Sequence, residues 1–480
     1  MTITRRSFRT AMAGLLLGAS TLAAGGAIAQ TAFTTLDKTS TAEVDFSSGE
    51  RGKPILAGSE ASVEGENFRP GQKVTLLYGT TPLGTALTAD AEGKISGKVA
   101  VPANAVPGIH PVLFVAESPY HAAVAELKVS PTVPLSGQAN YNVTQAQVTK
   151  GLYQSALSSK NNALFVTSAV GRPPVSQSEL VKLDSNSLKV LARVTPAEAP
   201  ASPGRPRPAG AAADAAPPKP GVFAVYGVGV DDAKDMVWVT NTRQNTVAVY
   251  RQSDLGLVKQ FAPGTVPHAR DVIVDQSLGK AYASATGTPD VVVIDTGTLE
   301  VAKKISVRSK KRGEEFSAAS LSFDAAAHRL YVAGFSTSEV AVINTQTDEV
   351  ENVFAVPGGR STIGISHDPQ TGRIFVAAQG SDNLIVLDGK DGKVIADTPI
   401  GAGALNVVFD PVKRLAYVAN RGAGTVAVTD VDGKIVANLG AYPLANHVAL
   451  GKAGTIYVVD KSAGVAGTES DTILRIAPKR

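Results

Sequence analysis

The sequence of 480 residues contains no cysteine. This absence excludes disulfides, thiolate metal sites, iron–sulfur clusters and covalent attachment of c-type haem. An oxidising compartment is compatible with such a chain but would add no covalent cross-links. Stability must therefore come from packing and from strand pairing.

Charge is also scarce, because Asp, Glu, Lys and Arg make up only 18% of the chain. Hydrophobic residues reach 44%, which is enough for packed cores and argues against general disorder. The 46 glycines and 28 prolines favour many short strands separated by turns over long helices. A chain of this length is expected to form two or more domains.

The formal net charge is +4, and three of the positive charges are Arg5, Arg6 and Arg9 near the N-terminus. The rest of the chain is close to neutral. The composition therefore gives no global argument for nucleic-acid binding.

The N-terminal segment has the features of an export signal. Thr4-Arg5-Arg6-Ser7-Phe8 resembles the twin-arginine motif, and a weakly apolar run from Ala11 ends in Ala27-Ile28-Ala29. We predict a signal peptide over residues 1–29 with cleavage between Ala29 and Gln30, hence a periplasmic protein without a stable membrane anchor. An ordinary secretory signal is the alternative.

Residues 53–132 show short alternating runs broken by turn residues, such as Lys73-Val-Thr-Leu-Leu-Tyr and Pro111-Val-Leu-Phe-Val. This pattern predicts a small antiparallel sandwich. The phrase GENFRPGQKVTLLY resembles bacterial immunoglobulin-like modules, so an Ig-like β-sandwich is expected here. Residues 30–52 are interpreted as a linker.

A short motif, in which a large aromatic residue precedes Val or Ala and small residues, recurs seven times in the remaining chain. Its last six aromatic residues are spaced 44, 49, 44, 42 and 40 residues apart. The aromatic positions are Phe165, Trp238, Tyr282, Tyr331, Phe375, Tyr417 and Tyr457.

Each repeat has flanking alternating runs that indicate four strands, as in VVFDPVKRLAYV followed by VAVTD. Four strands in about 40 to 45 residues, repeated radially, predict an all-β seven-bladed β-propeller over residues 138–480. The last repeat lacks a fourth strand. The alternating segment 140–148 is expected to supply it and to close the ring.

The first spacing is longer, at 73 residues. It contains PAEAPASPGRPRPAGAAADAAPPKPG at residues 196–221, which has almost no bulky apolar side chains. This composition predicts a disordered, partly polyproline insert between the first two blades.

The repeats resemble the YVTN family of β-propellers, and in particular its YncE-type periplasmic members, over about residues 145–478. The resemblance is most specific at FDPVKRLAYVANRGAGTVAVTD. It implies a non-enzymatic binding scaffold, and family members have been associated with single-stranded DNA. Two alternatives stay open, namely an interaction platform for an envelope protein and a propeller enzyme such as a lactonase or a quinoprotein dehydrogenase subunit.

No nucleophile elbow, Walker loop or HExxH motif is present, so we predict neither catalytic residues nor a metal or other cofactor. Asp residues that end the third strands are interpreted as turn caps. A monomer is expected.

Cations, amides and two tyrosines are expected to converge on the top face, where loops enter the inner strands. Such groups suit single-stranded DNA or another anionic ligand. Lys461 belongs to the same loops. The predicted ligand-binding residues are Tyr153, Tyr226, Asn241, Arg243, His268, Arg270, Arg360, Asn406, Arg421 and His447.

Overall fold

The protein is described by a computed structural model covering residues 34–200, 220–464 and 467–479. The predicted signal peptide and its cleavage site at Ala29 and Gln30 lie outside these residues. Within them, the chain is all-β, with 37 strands and three single-turn 3₁₀ helices at Gln138–Asn140, Thr242–Gln244 and Lys452–Gly454. None of the helices in this described part is long and apolar enough to span a membrane.

The first nine strands form an N-terminal β-sandwich. Its two sheets have the strand orders β1-β3-β7 and β2-β9-β8-β4-β5, with β6 also paired to β4. The strands are β1 (Glu43–Ser47), β2 (Ile55–Leu56), β3 (Glu60–Glu66), β4 (Lys73–Tyr78), β5 (Thr81–Pro82), β6 (Leu87–Thr88), β7 (Ile95–Ala100), β8 (Gly108–Ala116) and β9 (His121–Ser130).

The structure corrects the expected linker at residues 30–52. Strand β1 pairs antiparallel with β3, and Val44 and Phe46 pack into the core of the sandwich. Leu36 also forms a bridge to Tyr120. The alternating run is only five residues long, so its period is too short to stand out among the polar residues around it.

The remaining strands form seven four-stranded blades. In blades 1 to 6 the chain runs from the inner to the outer strand in sequence order. The strands are β10 (Tyr141–Gln147); β11 (Leu152–Ser158), β12 (Ala163–Val170), β13 (Gln177–Asp184) and β14 (Val190–Val194) in blade 1; β15 (Val228–Asp231), β16 (Met236–Asn241), β17 (Thr246–Arg251) and β18 (Leu257–Gln260) in blade 2; β19 (Ala269–Asp275), β20 (Lys280–Ala285), β21 (Asp290–Asp295) and β22 (Glu300–Ser306) in blade 3; β23 (Ala318–Asp324), β24 (Arg329–Gly334), β25 (Glu339–Asn344) and β26 (Glu349–Ala355) in blade 4; β27 (Thr362–His367), β28 (Arg373–Ala378), β29 (Asn383–Asp388) and β30 (Val394–Pro399) in blade 5; β31 (Ala404–Asp410), β32 (Leu415–Asn420), β33 (Thr425–Thr429) and β34 (Ile435–Leu439) in blade 6; and β35 (Ala445–Leu450), β36 (Ile456–Asp460) and β37 (Thr472–Pro478) in blade 7.

The seventh blade is completed by a strand that precedes the first blade in the sequence. Strand β10 lies outside β37, with Tyr141 opposite Pro478 and Gln147 opposite Thr472. The sheet order β10-β37-β36-β35 confirms the predicted ring closure.

The second and third strands of each blade read as continuous apolar runs because both of their faces are covered by neighbouring blades. Strand β28 is an example, since Ile374 to Ala378 are all buried. The repeated aromatic residues lie between blades, and Trp238 and Tyr282 are fully buried there. They therefore serve as core and not as surfaces for ligand stacking.

Part of the proline- and alanine-rich insert is ordered, in contrast to the expectation for residues 196–221. Glu198 bridges to Val222, and the Ala199 amide donates a hydrogen bond to the Gly221 carbonyl oxygen at 2.8 Å. Ala199 is buried. The two ends of the insert therefore pair with each other, whereas residues 201–219 lie outside the described part of the chain.

Candidate functional site

A cleft of about 1250 Å³ separates the N-terminal domain from the top face of the propeller. The N-terminal domain lines it with the segment 46–55 and with Glu126, Lys128 and Ser130 of β9. The propeller lines it with loops of blades 1, 4, 5, 6 and 7. Clefts between domains are common ligand sites, so this cleft is the principal candidate site.

Asp382 anchors the N-terminal domain to the propeller. Its carboxylate lies 2.9 Å from Lys128 Nζ and accepts a hydrogen bond from Ser130 Oγ at 2.7 Å. It also accepts the Gly403 amide at 2.8 Å, which ties blade 5 to blade 6. Because Asp382 is almost completely buried, these partners are needed to offset the desolvation of its charge.

Cations outnumber carboxylates along the cleft. Its acidic lining residues are Glu126 and Asp471, and among the described residues five of the lining cations form no ion pair within 4.0 Å. Cations without a protein partner next to an open cavity attract anions. These five are Arg51, Lys53, Lys150, Arg421 and Lys461.

Lys461 lies on the propeller wall of the cleft, in the loop that follows β36. Its Nζ donates a hydrogen bond to the Leu152 carbonyl oxygen at 2.7 Å and lies 5.4 Å from the centre of the Tyr153 ring. Burial lowers the pKa of Lys461 to about 8; nearby Arg421 also lowers it, and Asp471 opposes the shift. The site therefore holds an amine that is only partly protonated at mildly alkaline pH.

Asp471 closes the junction between the last and first blades. Its carboxylate accepts the amides of Gly151 at 2.7 Å, Leu152 at 2.8 Å and Ala463 at 2.8 Å. Burial raises the pKa of neighbouring Asp460 to about 6, and the charge of Asp471 adds to this effect. Both carboxylates thus accept backbone amides, and neither forms an ion pair with a cation of the cleft wall within the described residues, although the charge of Asp471 still acts on Lys461.

The two predicted tyrosines contact each other at the top face. The Tyr153 and Tyr226 rings pack edge to face with their centres 4.9 Å apart, and Tyr226 is buried. Arg243 Nε donates to the Tyr226 hydroxyl at 3.3 Å. The rings are therefore occupied by protein contacts, which disagrees with their expected role as stacking surfaces for bases.

Two cations, Arg243 and Arg270, lie together with His268 beside this tyrosine pair. Burial lowers the pKa of His268, and the charges of Arg243 and then Arg270 lower it further. The Arg270 Nε atom is buried, and no partner is found for it among the described residues. These three residues lie close together, but none of them lines the cleft.

Asn406 and His447 lie deeper, in the wall of a central channel of about 620 Å³. Asn406 Oδ1 accepts the Val448 amide at 2.8 Å, and His447 Nδ1 accepts the Ser155 amide at 3.4 Å. Burial, aided by the charge of Arg270, lowers the pKa of His447 to about 3. The imidazole is therefore neutral at physiological pH.

These two contacts belong to a ring of hydrogen bonds around the channel. The inner strand of each blade is a sheet edge, whose amides would otherwise lack partners. At five of the seven junctions, a polar side chain of one inner strand accepts an amide of the next. The acceptors are Gln154, Asp271, Ser366, Asn406 and His447.

At the junction of blades 4 and 5, a hydrogen bond between two side chains takes the place of such a contact. Ser322 Oγ lies 2.8 Å from His367 Nδ1, and His367 stacks on Tyr331. His367 Nε2 is 3.7 Å from Asp324, which is longer than a hydrogen bond.

No group of three or more His, Asp or Glu residues within the described ranges is arranged to hold a metal ion.

The two other predicted residues differ in their surroundings. Asn241 is fully buried within blade 2, where its Oδ1 accepts Gln260 Nε2 at 3.1 Å, and it does not line the cleft. Arg360 is on the top face but is paired with Glu126 at 2.7 Å. Of the predicted set, Arg421 alone lines the cleft. The wall of the cleft that belongs to the N-terminal domain, with Arg51 and Lys53, was not predicted. Contacts between domains leave no pattern among neighbouring residues of a sequence.

Comparison with known proteins supports a YncE-like propeller. No family model matches the chain. The uncharacterized protein YncE of Salmonella typhimurium is 25% identical over 347 residues, which cover 69% of this chain and 89% of YncE. YncE of Salmonella typhi is 24% identical over the same proportions. The chain is thus homologous to YncE over about two thirds of its length.

Solved structures support the fold alone. Hydrazine synthase of Kuenenia stuttgartiensis has a TM-score of 0.53 at 15% identity, covering 69% of this chain and 96% of that chain. A streptogramin B lyase has a TM-score of 0.52 at 11% identity, covering 72% of this chain and 100% of that chain. Such varied proteins show that the propeller by itself does not indicate an activity.

Proposed function

We propose that the protein is an exported binding protein that holds a small anionic ligand in the cleft between its two domains, without chemical turnover. The observation that carries this proposal is the set of cations without ion-pair partners on both walls of the cleft. Arg421 offers a planar fork suited to carboxylate or phosphate, and Lys53 faces the same cavity from the N-terminal domain.

A small anion fits this arrangement better than single-stranded DNA. The tyrosine rings that would stack on bases pack on each other, and Tyr226 is buried. Arg360, expected to contact phosphates, is paired with Glu126. The N-terminal domain also covers part of the top face, which leaves a bounded cleft instead of an open groove for a strand.

Titration calorimetry at low ionic strength with citrate as the probe tests the proposal. Replacing Arg421 and Lys53 together by Ala should weaken citrate binding by at least about tenfold, since a hydrogen bond to a charged group contributes roughly 1.5–3 kcal/mol. Removing two exposed lysines of the bottom turns, Lys189 and Lys390, makes the same change in net charge and should have little effect.

Absence of citrate binding, or equal losses in the two double variants, would contradict the cleft as an anion site. A labelled oligothymidine measured in parallel distinguishes the ligand classes. If the oligonucleotide binds and citrate neither binds nor competes, nucleic acid is the ligand and the small-anion proposal is wrong.

Export to the periplasm is part of the proposal, and the twin-arginine pattern at Arg5 and Arg6 supports it. Replacing both by Lys should leave the precursor in the cytoplasm.

The alternative of an envelope interaction platform has no matching observation, because the contacts of the N-terminal domain described above are with its own propeller.

A further inference from the structure

Lys461 differs from the other cations of the cleft in its surroundings. Its amine has one hydrogen bond, to the Leu152 carbonyl oxygen, and the ring of Tyr153 lies beside it. Among the described residues no carboxylate is within 4.0 Å of Nζ, and nearby Asp471 is engaged by three backbone amides. The amine of this half-buried residue thus lacks the ion pair that usually holds a lysine away from water in its charged form.

Burial and the neighbouring Arg421 both favour the neutral amine. With its pKa lowered to about 8, Lys461 carries a free amine at pH 8 far more often than an ordinary lysine, whose pKa is about 10.4. A neutral amine has a lone pair and is a nucleophile toward carbonyl carbon.

We propose that Lys461 captures the carbonyl group of an anionic ligand as an imine, with Arg421 holding the carboxylate of that ligand. The ligand class is therefore a small oxo acid, which carries an aldehyde or ketone next to a carboxylate. This inference rests on the proposed function, because it assigns a ligand class to the same cleft.

The reaction balances without any further reagent. The Nζ lone pair adds to the carbonyl carbon, and a C–N bond forms while the carbonyl oxygen becomes a hydroxyl. The carbinolamine then loses that hydroxyl with the second amine proton as water, which leaves a C=N bond. No atom is oxidised or reduced, and hydrolysis of the imine releases the ligand unchanged.

Trapping with glyoxylate and cyanoborohydride at pH 8, followed by intact mass and peptide mapping, tests the inference on the whole protein. Among the lysines, one adduct per chain is expected, at Lys461; an adduct at the N-terminal amine, whose ordinary pKa is also about 8, is counted separately. Lys150 is the internal control, since it lines the same cleft but is exposed. Adducts distributed over the lysines according to their exposure, with Lys150 modified as much as Lys461, would overturn the proposal.

Two variants test the roles of Lys461 and Arg421 separately. Lys461→Met keeps the length of the side chain and should abolish the adduct while the melting temperature shows that the fold is kept. Arg421→Ala should lower trapping of glyoxylate about tenfold, but trapping of propanal, a neutral aldehyde, much less, since propanal senses only the accompanying rise in the pKa of Lys461. Equal effects on both aldehydes would contradict the role of Arg421.

The two proposals fail separately. If citrate binds in the cleft but glyoxylate leaves no adduct at Lys461, the imine is wrong and the anion site stands. If citrate does not bind but propanal is trapped at Lys461, the anion site is wrong and the reactive amine stands.

Discussion

His447 was predicted to bind a ligand, but in the structure it joins two blades by a hydrogen bond. Its Nδ1 atom accepts an amide across the junction of the last and first blades, which only the neutral imidazole can do. Arg270 lies close enough for its charge to oppose protonation. The residue therefore resists protonation far below the usual pKa of histidine.

His447 and Asp460 should change the stability of the protein in opposite directions as the pH falls. Above pH 6.5, His447 is largely neutral in both the folded and the unfolded protein. Below that pH, the unfolded chain takes up a proton first, so the free energy of unfolding falls by up to about 1.4 kcal/mol per pH unit down to about pH 3. Asp460 has its pKa raised to about 6, so stability rises by a similar amount per unit as pH falls from 6 to 3.8.

Urea unfolding at pH 6.0, 5.25 and 4.5 separates the two groups. Relative to wild type, His447→Gln, which keeps an acceptor, should become more stable as pH falls. Asp460→Asn should become less stable relative to wild type over the same range. Parallel pH profiles for all three proteins would show that neither group titrates as described.

Single residues with a local cause were predictable from the sequence. Asp295 and Asp430 cap turns as expected, since each accepts two backbone amides from the residues that follow it. Asn406 and His447 were assigned to a ligand site, but their partners are amides about 40 and 290 residues away along the chain. A short pattern does not encode such partners.

At the scale of elements, the strand β10 joins the ends of the ring. It pairs with β37 along seven residues, and Val148, which follows it, is buried in the core between blades 7 and 1. The repeat spacing predicted this pairing because the last repeat has one strand too few. Residues 43–47 were predicted to be part of a linker but form strand β1. A single five-residue strand is not repeated elsewhere in the sequence, so no periodic pattern indicated it.

Deletion of residues 138–147 should therefore destabilise the propeller strongly. The loss of one ladder and of buried apolar surface should lower the melting temperature by roughly 10 °C or more, as expected for several kcal/mol in a domain of this size. Deletion of residues 202–218 is the control, since it leaves the pairing of Glu198 with Val222 in place. Calorimetry showing similar losses for both deletions would contradict the role assigned to β10.

At the scale of the whole molecule, the placement of one domain on the other defines the candidate site. Neither domain alone has the cleft, because Lys53 and Arg421 come from opposite walls. The sequence predicted both domains, and it placed Arg421 on the correct face. It could not predict the docking, because Lys128 and Asp382 are about 250 residues apart and neither is unusual in its local pattern.

Asp382→Asn tests the docking with little strain, since Asn also tolerates the positive φ of this position. The loss of the buried charge should loosen the domain contact without unfolding either domain, and it should increase hydrogen exchange in the cleft-facing strand β9. Arg360→Ala removes an exposed ion pair and should change exchange little. Unchanged exchange in Asp382→Asn would show that other contacts hold the domains together.

The position of β37 between β36 and β10 has a consequence for biosynthesis. The ring has no complete seventh blade until residues 472–478 have been synthesised and inserted between two strands made at different times. Every incomplete chain would thus keep two unpaired edges, open to quality-control proteases and to aggregation. Closure therefore acts as a check that synthesis has passed residue 478, because only a chain that contains this last strand can hide both edges.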